Sequence, residues 1–129
     1  MSAFSDVMKG RTKEFGLRVA RMVQALPPST ATKVLGVQVL RSAMSVGANY
    51  REAHRGRSEA EFFAKIGDCL READETLYWL EQIRDLHLLR PHKFDLLIRE
   101  ANELVAILVT IRKRRTPQSK RAISPTQPQ

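Results

Sequence analysis

Apolar residues recur three, four or seven positions apart along most of this chain, and this spacing constrains its fold more than any other feature. Such spacing places the apolar side chains on one stripe of an α-helix. In the first segment the stripe consists of Met8, Phe15, Val19, Met22 and Leu26. Helix-breaking residues interrupt the pattern at Pro27-Pro28, Gly56 and Arg90-Pro91. The sequence therefore predicts four helices, over about residues 5–26, 29–55, 58–89 and 91–115.

Two of these helices begin with residues suited to capping. The hydroxyl of Ser29 can accept a hydrogen bond from a free amide in the first turn of helix two. Ser58 and Glu61 have the spacing of a capping box, in which the two residues satisfy each other's backbone amides at the start of helix three. Helix three then carries an apolar seam predicted to face the core: Phe62, Ile66, Cys69, Ala73, Leu77, Leu80 and Ile83.

The arrangement of the helices follows from the connections between them. No stretch alternates apolar and polar residues between hairpin signals, so the predicted fold class is all-α. Short connections favour antiparallel neighbours, which predicts an antiparallel up-down-up-down four-helix bundle over residues 1–115. Residues 116–129 contain three of the six prolines and almost nothing apolar, a composition that predicts a disordered C-terminal tail.

The cysteine count and the lack of long apolar stretches argue against a disulfide-stabilised scaffold and against a membrane-spanning protein. The chain has 129 residues with a single cysteine, Cys69, which cannot form an internal disulfide and is expected to act as a small apolar group in the core. There is no cleavable leader and no apolar stretch of about 18 residues, so we expect a cytoplasmic protein with no membrane segment.

The sequence contains few residues suited to catalysis or to binding a metal ion. His54, His87 and His92 are far apart, and none follows a glutamate by three residues, so the Glu-x-x-His pairs of di-iron bundles are missing. There is no glycine-rich phosphate loop, and no paired acid and base is recognisable. We therefore expect no metal, no cofactor, no catalytic residue and no enzymatic activity.

Charge is distributed unevenly. The formal net charge is +8, yet residues 58–90 carry eight acidic and only four basic residues. The acidic helix three either forms solvated salt bridges within the chain or meets a basic patch of another subunit. The basic residues concentrate at the ends of helices two and four: Arg51, Arg55, Arg57, Arg112, Lys113, Arg114 and Arg115.

The basic ends of helices two and four point in the same direction in an alternating bundle, which would focus positive potential at one end. We therefore predict that these seven residues contact the phosphates of a nucleic acid. The alternative is that the basic ends serve only to keep the protein soluble.

Helix two has apolar residues around most of its circumference, which predicts burial on several sides. A polar row nevertheless runs along it: Gln38, Arg41, Ser42, Ser45, Asn49 and Glu52. Because buried polar groups must be paired, we expect a structural network, with acidic residues of helix three as partners of Arg41. The alternative is a catalytic row, but it has no adjacent His or Cys to activate either serine.

Two adjacent aromatic residues, Tyr78 and Trp79, cannot both join the core seam of helix three. At least one ring must lie elsewhere, and we predict that the pair lies in a subunit interface, where such rings are enriched. Stacking of a nucleic-acid base on an exposed ring is the alternative.

The polar row of helix two has the pattern Q-x-x-R-S-x-x-S-x-x-x-N-x-x-E, and Arg57, Ser58, Glu61 and Phe62 continue it into a serine-started acidic helix. This pattern resembles the hallmark of the four-helix-bundle protein family, also called the ribosomal RNA intervening-sequence protein family. With the flanking helices, the resemblance covers about residues 4–115. The chain departs from many members at Asn49–Ala53, where they have Asn-Ile-Ala-Glu-Gly, and at Gly67-Asp68, where they have Gly-Ser.

The resemblance implies a left-handed bundle that assembles into a ring-like homopentamer with a basic surface. Family members are encoded in sequences that interrupt large-subunit ribosomal RNA genes, and a similar accessory protein of diversity-generating retroelements works with a reverse transcriptase and its RNA. Two functions are therefore expected. The first is a non-enzymatic oligomer that binds RNA or DNA through phosphate contacts, and the alternative is an oligomeric scaffold for a partner protein such as an RNA-processing or reverse-transcribing enzyme.

Overall fold

The computed structural model describes residues 2–114, and these residues form four helices with no strand among them. The helices are α1 (Ala3–Gln24), α2 (Thr30–Ala53), α3 (Glu59–Asp85) and α4 (His92–Arg112). The all-α prediction is therefore confirmed. Arg115 and the tail predicted to be disordered, residues 116–129, lie outside the described residues.

Each helix packs against its neighbour in the sequence, and α1 also touches α4, which closes the bundle. The Arg11 guanidinium of α1 donates to the Glu100 carboxylate of α4 at 2.7 Å and supports this closure. The α2–α3 contact is the most extensive of the four, whereas α2 and α4 lie diagonally opposite each other. The arrangement agrees with the predicted up-down-up-down bundle.

The predicted caps are present, with one difference in geometry. Ser29 Oγ accepts a hydrogen bond from the Thr32 amide at 3.1 Å, and Ser58 Oγ accepts one from the Glu61 amide at 3.1 Å. The Glu61 carboxylate, however, accepts from the Arg57 amide at 2.6 Å, one residue before the position that a capping box predicts. The acidic first turn of α3 is therefore tied to the preceding loop.

The end of α3 comes four residues earlier than predicted. The helix ends at Asp85, and Leu86 is its C-cap. His87 follows with a φ of 57°, in the left-handed region. A left-handed residue directly after the C-cap terminates a helix, so the apolar spacing that continues to Leu89 is no longer helical.

The core seam of α3 is also shifted from the prediction at two positions. Phe63 and Thr76 are buried, whereas Phe62 and Leu77 are only half-buried. The Phe62 ring instead packs edge-on against the ring of His54, with centroids 5.3 Å apart. Cys69 is fully buried as predicted, and its thiol donates to the Val46 carbonyl of α2 at 3.1 Å.

The single chain does not provide the predicted burial of α2 on several sides. Val34, Val37 and Met44 are 56%, 62% and 42% exposed. The reason is that α2 packs extensively only against α1 and α3, with α4 on the far side of the bundle. Three of its apolar side chains are thus left on the surface of the single chain.

The polar row of α2 is correspondingly different from the predicted buried network. Ser42 is its only buried member; Gln38, Ser45 and Asn49 are half-buried, and Arg41 and Glu52 are exposed. The Ser42 hydroxyl lies 2.9 Å from the Thr76 hydroxyl of α3 and 3.2 Å from the Val39 carbonyl. Thr76 Oγ1 also lies 2.7 Å from the Glu72 carbonyl, so both buried hydroxyls are satisfied where α2 meets α3.

This pair of hydroxyls provides a test of the α2–α3 contact. Thr76→Val keeps the side-chain shape but removes the hydrogen bond between Thr76 and Ser42, so we expect a loss of about 1 kcal/mol in the free energy of unfolding. Urea denaturation of the Thr76→Val, Ser42→Ala and double variants forms a double-mutant cycle. We expect the double variant to lose less than the sum of the two single losses. Strictly additive losses would show that the hydroxyls are not coupled.

A second junction joins three helices around the half-buried His54, the C-cap of α2. Its Nε2 lies 3.3 Å from the Ser5 hydroxyl of α1, and its ring packs edge-on against Tyr50, with centroids 4.8 Å apart, as well as against Phe62 of α3. Burial lowers the pKa of His54, and the positive charge of Lys9 lowers it further. The neutral imidazole is therefore the form that fits the folded protein.

The lowered pKa of His54 predicts a pH dependence of stability. The unfolded chain binds a proton at His54 with the ordinary pKa of about 6.5, and the folded chain binds it more weakly, so the free energy of unfolding must fall as the pH drops through this range. Denaturation between about pH 7.5 and 5.5 should show this slope, above the range where carboxylates dominate. His54→Gln should reduce the slope, whereas the control His92→Gln, at an exposed position of α4, should keep it. Equal slopes in both variants would contradict the assignment.

Candidate nucleic-acid interface

Helices α1 and α2 approach each other closely because small residues lie where they cross. A Cβ atom added at Gly47 would lie 3.4 Å from the Thr12 carbonyl oxygen, and one added at Gly16 would lie 3.4 Å from the Ala43 carbonyl oxygen. Together with the contact between Ser5 and His54, these distances define one antiparallel register. The facing pairs are Ser5 with His54, Thr12 with Gly47, and Gly16 with Ala43.

A groove of about 610 Å³ runs over this crossing, and we call it the α1–α2 groove. Four of its lining residues are basic: Lys9 and Lys13 from α1, and Arg51 and Arg55 from α2. The other lining residues are small, apolar or hydroxyl-bearing, and no carboxylate lines the groove within residues 2–114. The groove is therefore cationic with a mainly apolar floor.

The helix register orders these four cations along the groove. Arg55 lies nearest the bundle end, Arg51 and Lys9 are almost level with each other, and Lys13 lies farthest in. With a rise of 1.5 Å per residue, the four positions extend over about 14 Å. Both walls of the groove contribute to one line of positive charge.

Several cations elsewhere on the bundle are paired with carboxylates. Arg41 pairs with Glu72 and Glu75 of α3, as predicted, and Lys65 pairs with Glu52 at 2.8 Å. In contrast, Lys13, Arg51 and Arg55 form no ion pair within the described part of the chain. Their charge is thus available to an external anion.

The structure separates the seven predicted phosphate contacts into groups. Arg51 and Arg55 lie in the α1–α2 groove, and Arg57 lies exposed in the connection to α3. Arg112, Lys113 and Arg114 are exposed at the end of α4, and Arg115 lies outside the described residues. The two helix ends share one end of the bundle, because the first turn of α1 contacts His54 through Ser5 and lines a small pocket with Arg114 through Phe4.

Lys9 and Lys13 were not among the predicted contacts. The prediction grouped cations that are close in sequence, whereas these lysines join Arg51 and Arg55 only through the packing of α1 on α2. Their spacing of four residues, which places both on one side of α1, is the signal that could have found them.

The same face of the bundle becomes apolar beyond the cations. Leu17 and Met44 border the inner end of the α1–α2 groove, and Val37 and Val34 continue along α2. All four side chains are more than a third exposed, and we call this surface the apolar half of the α1–α2 face. One face of the bundle is thus divided into a cationic and an apolar half.

The aromatic pair of α3 lies on a different surface. Tyr78 is 52% exposed, and Trp79 is half-buried with its indole N–H donating to the Glu75 carboxylate at 2.9 Å. The two rings pack edge-on with centroids 5.0 Å apart. At least one ring lies outside the core, as predicted, and its role in a subunit interface stays a prediction.

The structure also bears on catalysis, metal binding and membrane insertion. Burial raises the pKa of the Cys69 thiol to about 12, so the thiolate that nucleophilic or redox chemistry requires is disfavoured. Within residues 2–114 there is no group of three or more His, Cys, Asp or Glu residues placed to hold a metal ion. None of the described helices is both long and apolar enough to cross a membrane.

Comparisons with known proteins assign the chain to a family. A similar solved structure is a protein of unknown function from the S23 ribosomal protein family of Bacteroides thetaiotaomicron, with a TM-score of 0.76 and 32% identity over 81% of this chain and 97% of that chain. No curated protein matches the chain. The family model described as 23S rRNA-intervening sequence protein matches residues 7–110, which include parts of all four helices. The chain therefore belongs to the 23S rRNA-intervening sequence protein family.

Proposed function

We propose that this protein is a non-enzymatic oligomer that binds nucleic acid through phosphate contacts. The observation that carries the proposal is the set of cations at one end of the bundle, of which Lys13, Arg51 and Arg55 have no carboxylate partner among the described residues. A phosphate that contacts such a cation releases condensed counterions, which is the main source of affinity in backbone binding. The family's name makes RNA the first nucleic acid to test.

The positions of the hydroxyl and thiol groups support a function without catalysis. Ser42 is sealed between α2 and α3, and the Ser45 hydroxyl donates to the Arg41 carbonyl of its own helix at 2.8 Å. Cys69 is buried with a raised pKa. None of these groups is presented to a substrate in the activated form that a nucleophile needs.

We also propose that the protein assembles through the apolar half of the α1–α2 face. Exposed Leu17, Val34, Val37 and Met44 form more apolar surface than isolated surface residues account for, and such surfaces commonly mark protein contacts. Exposed Tyr78 on the acidic helix α3 offers a second, different contact surface, and a contact between two unlike surfaces gives a ring when its rotation closes. The family resemblance implies that the ring is a homopentamer.

A partner-protein scaffold is the second candidate function. The observation that favours it is the adjacency of Leu17 and Met44 to the cations of the α1–α2 groove, because an acidic amphipathic segment of another protein needs both an apolar floor and positive charge. Nucleic-acid binding and scaffolding predict different results in the following experiment.

Binding should be measured with a structured RNA and with duplex DNA over a salt series. We expect the logarithm of the affinity to fall linearly with the logarithm of salt concentration, with a slope near −0.9 for each phosphate contacted on duplex DNA. Changing Arg112, Lys113, Arg114 and Arg115 to glutamate should lower both affinity and slope. No binding to either nucleic acid at about 50 mM salt would overturn the proposal in favour of the scaffold, because electrostatic contacts are strong there.

Assembly should be tested with a Val37→Glu, Met44→Glu double variant. Burying two carboxylates in an apolar contact is costly, so we expect the oligomer to dissociate at least ten times more readily. Light scattering should give the mass of five protomers for the unaltered chain and a smaller mass for the variant. Leu96→Glu is the control, because Leu96 is 60% exposed on α4. A monomeric unaltered chain would contradict the proposed assembly.

A further inference from the structure

We infer that the α1–α2 groove holds one backbone strand of a double helix, with Lys9, Lys13, Arg51 and Arg55 as its phosphate contacts. The inference rests on the proposed function and deepens it, because it assigns the contact to one surface and to one form of nucleic acid. It also adds Lys9 and Lys13 to the residues predicted from the sequence.

The shape of the groove is the first step. Because Gly16 and Gly47 let α1 and α2 approach to backbone contact, the surface between them is a shallow trough. The axes of packed helices are about 8–10 Å apart, so a double helix cannot enter such a trough as a whole. The convex ridge formed by the phosphates of one strand can lie in it, with cations on both sides.

The number and spacing of the cations are the second step. The four cations occupy three levels over about 14 Å of the groove, with Arg51 and Lys9 level on opposite walls and Arg55 and Lys13 on either side of them. Because a strand also winds around the duplex, its phosphates are farther apart along the strand than the roughly 3.4 Å that separates them along the axis, so a groove of this length that follows the strand faces about three phosphates. The three levels of cations therefore match the phosphates that the groove can face, and the contact is of backbone type.

The lining of the groove favours a duplex over an unpaired strand. Proteins that bind single strands generally provide aromatic side chains on which successive bases stack. No aromatic residue lines the α1–α2 groove among residues 2–114, and the exposed ring of Tyr78 lies on α3. A duplex needs no such platform, because its bases are already stacked inside the helix.

The groove is also better suited than the end of α4 to close contacts with phosphates. Arg112, Lys113 and Arg114 are consecutive residues at and just after the end of α4, so their side chains point in different directions. The groove cations converge on one line from two helices. We therefore assign the close contacts to the groove and a more distant attraction to the α4 cations.

The test compares two variants with the same change of charge. Lys13→Glu with Arg51→Glu alters the groove, and Lys93→Glu with Arg99→Glu alters two exposed cations of α4 that do not line it. Each should be assayed with an RNA duplex, a DNA duplex and an unpaired strand of equal length, over a salt series. Circular dichroism and light scattering verify that fold and oligomeric mass are unchanged.

We expect the groove variant to lose at least tenfold in duplex affinity and to show a salt slope on duplex DNA that is less steep by about 1.8, or 0.9 for each lost contact. The α4 control should lose less than threefold and keep its slope. Binding of either duplex more tightly than the unpaired strand supports the inference, and the two duplex arms show whether RNA or DNA is preferred.

Three results would overturn the inference. Equal losses in both variants would mean that only the overall charge matters, and tighter binding of the unpaired strand would exclude the duplex. A groove variant that binds like the unaltered chain would place the contacts elsewhere, while the proposed function would stand. If the unaltered chain binds none of the three nucleic acids, the proposed function itself fails.

Discussion

The packing of α2 against α3 through buried polar contacts is the constraint on which the other features depend. The Ser42 and Thr76 hydroxyls lie 2.9 Å apart in the core, and the Cys69 thiol donates to a backbone carbonyl of α2 at 3.1 Å. Sliding or rotating one helix against the other would leave these buried groups unsatisfied, at a cost that apolar packing alone does not impose. With this side of α2 held in one register, the opposite side has to face α1 and the surface.

The distribution of charge follows from the same arrangement. The carboxylates of α3 lie beside α2 and neutralise Arg41, while Lys65 of α3 reaches back to Glu52. Arg51 and Arg55 point toward α1, which offers them lysines instead of carboxylates along the groove. The acidic character of α3 therefore does not cancel the charge of the basic end, and the two sides of α2 have opposite electrostatic surroundings.

Much of this fold could be predicted from the sequence, because helix spacing and caps are local signals. The starts at Ser29 and Ser58 depend on one serine and the next turn, and both are present as predicted. The early end of α3 was missed, because only the folded backbone shows the left-handed conformation of His87. The single chain does not provide the burial of α2 on several sides, because apolar composition shows which side chains could be buried, whereas only α1 and α3 pack extensively against that helix.

The candidate site was predictable in part, for a related reason. Arg51 and Arg55 were identified from a local cluster of basic residues, and the groove contains both. Lys9 and Lys13 are about forty residues away in the chain, and only the α1–α2 register brings them to the same line. Arg51 and Arg112 were predicted to share one patch. In the structure, however, the first turn of α1 lies between the ends of α2 and α4 and separates them.

The register of α1 against α2 has a consequence for how the lengths of these helices can vary. Inserting one residue between Lys13 and Gly16 would turn the preceding part of α1 by about 100° and displace it by about 1.5 Å relative to α2. Both lysines would then leave the groove even though no side chain had been replaced. A single substitution removes one cation from the groove, whereas a change in the length of α1 removes two of the four cations together. Insertions and deletions should therefore be confined to the connection at residues 25–29, outside the crossing of the two helices.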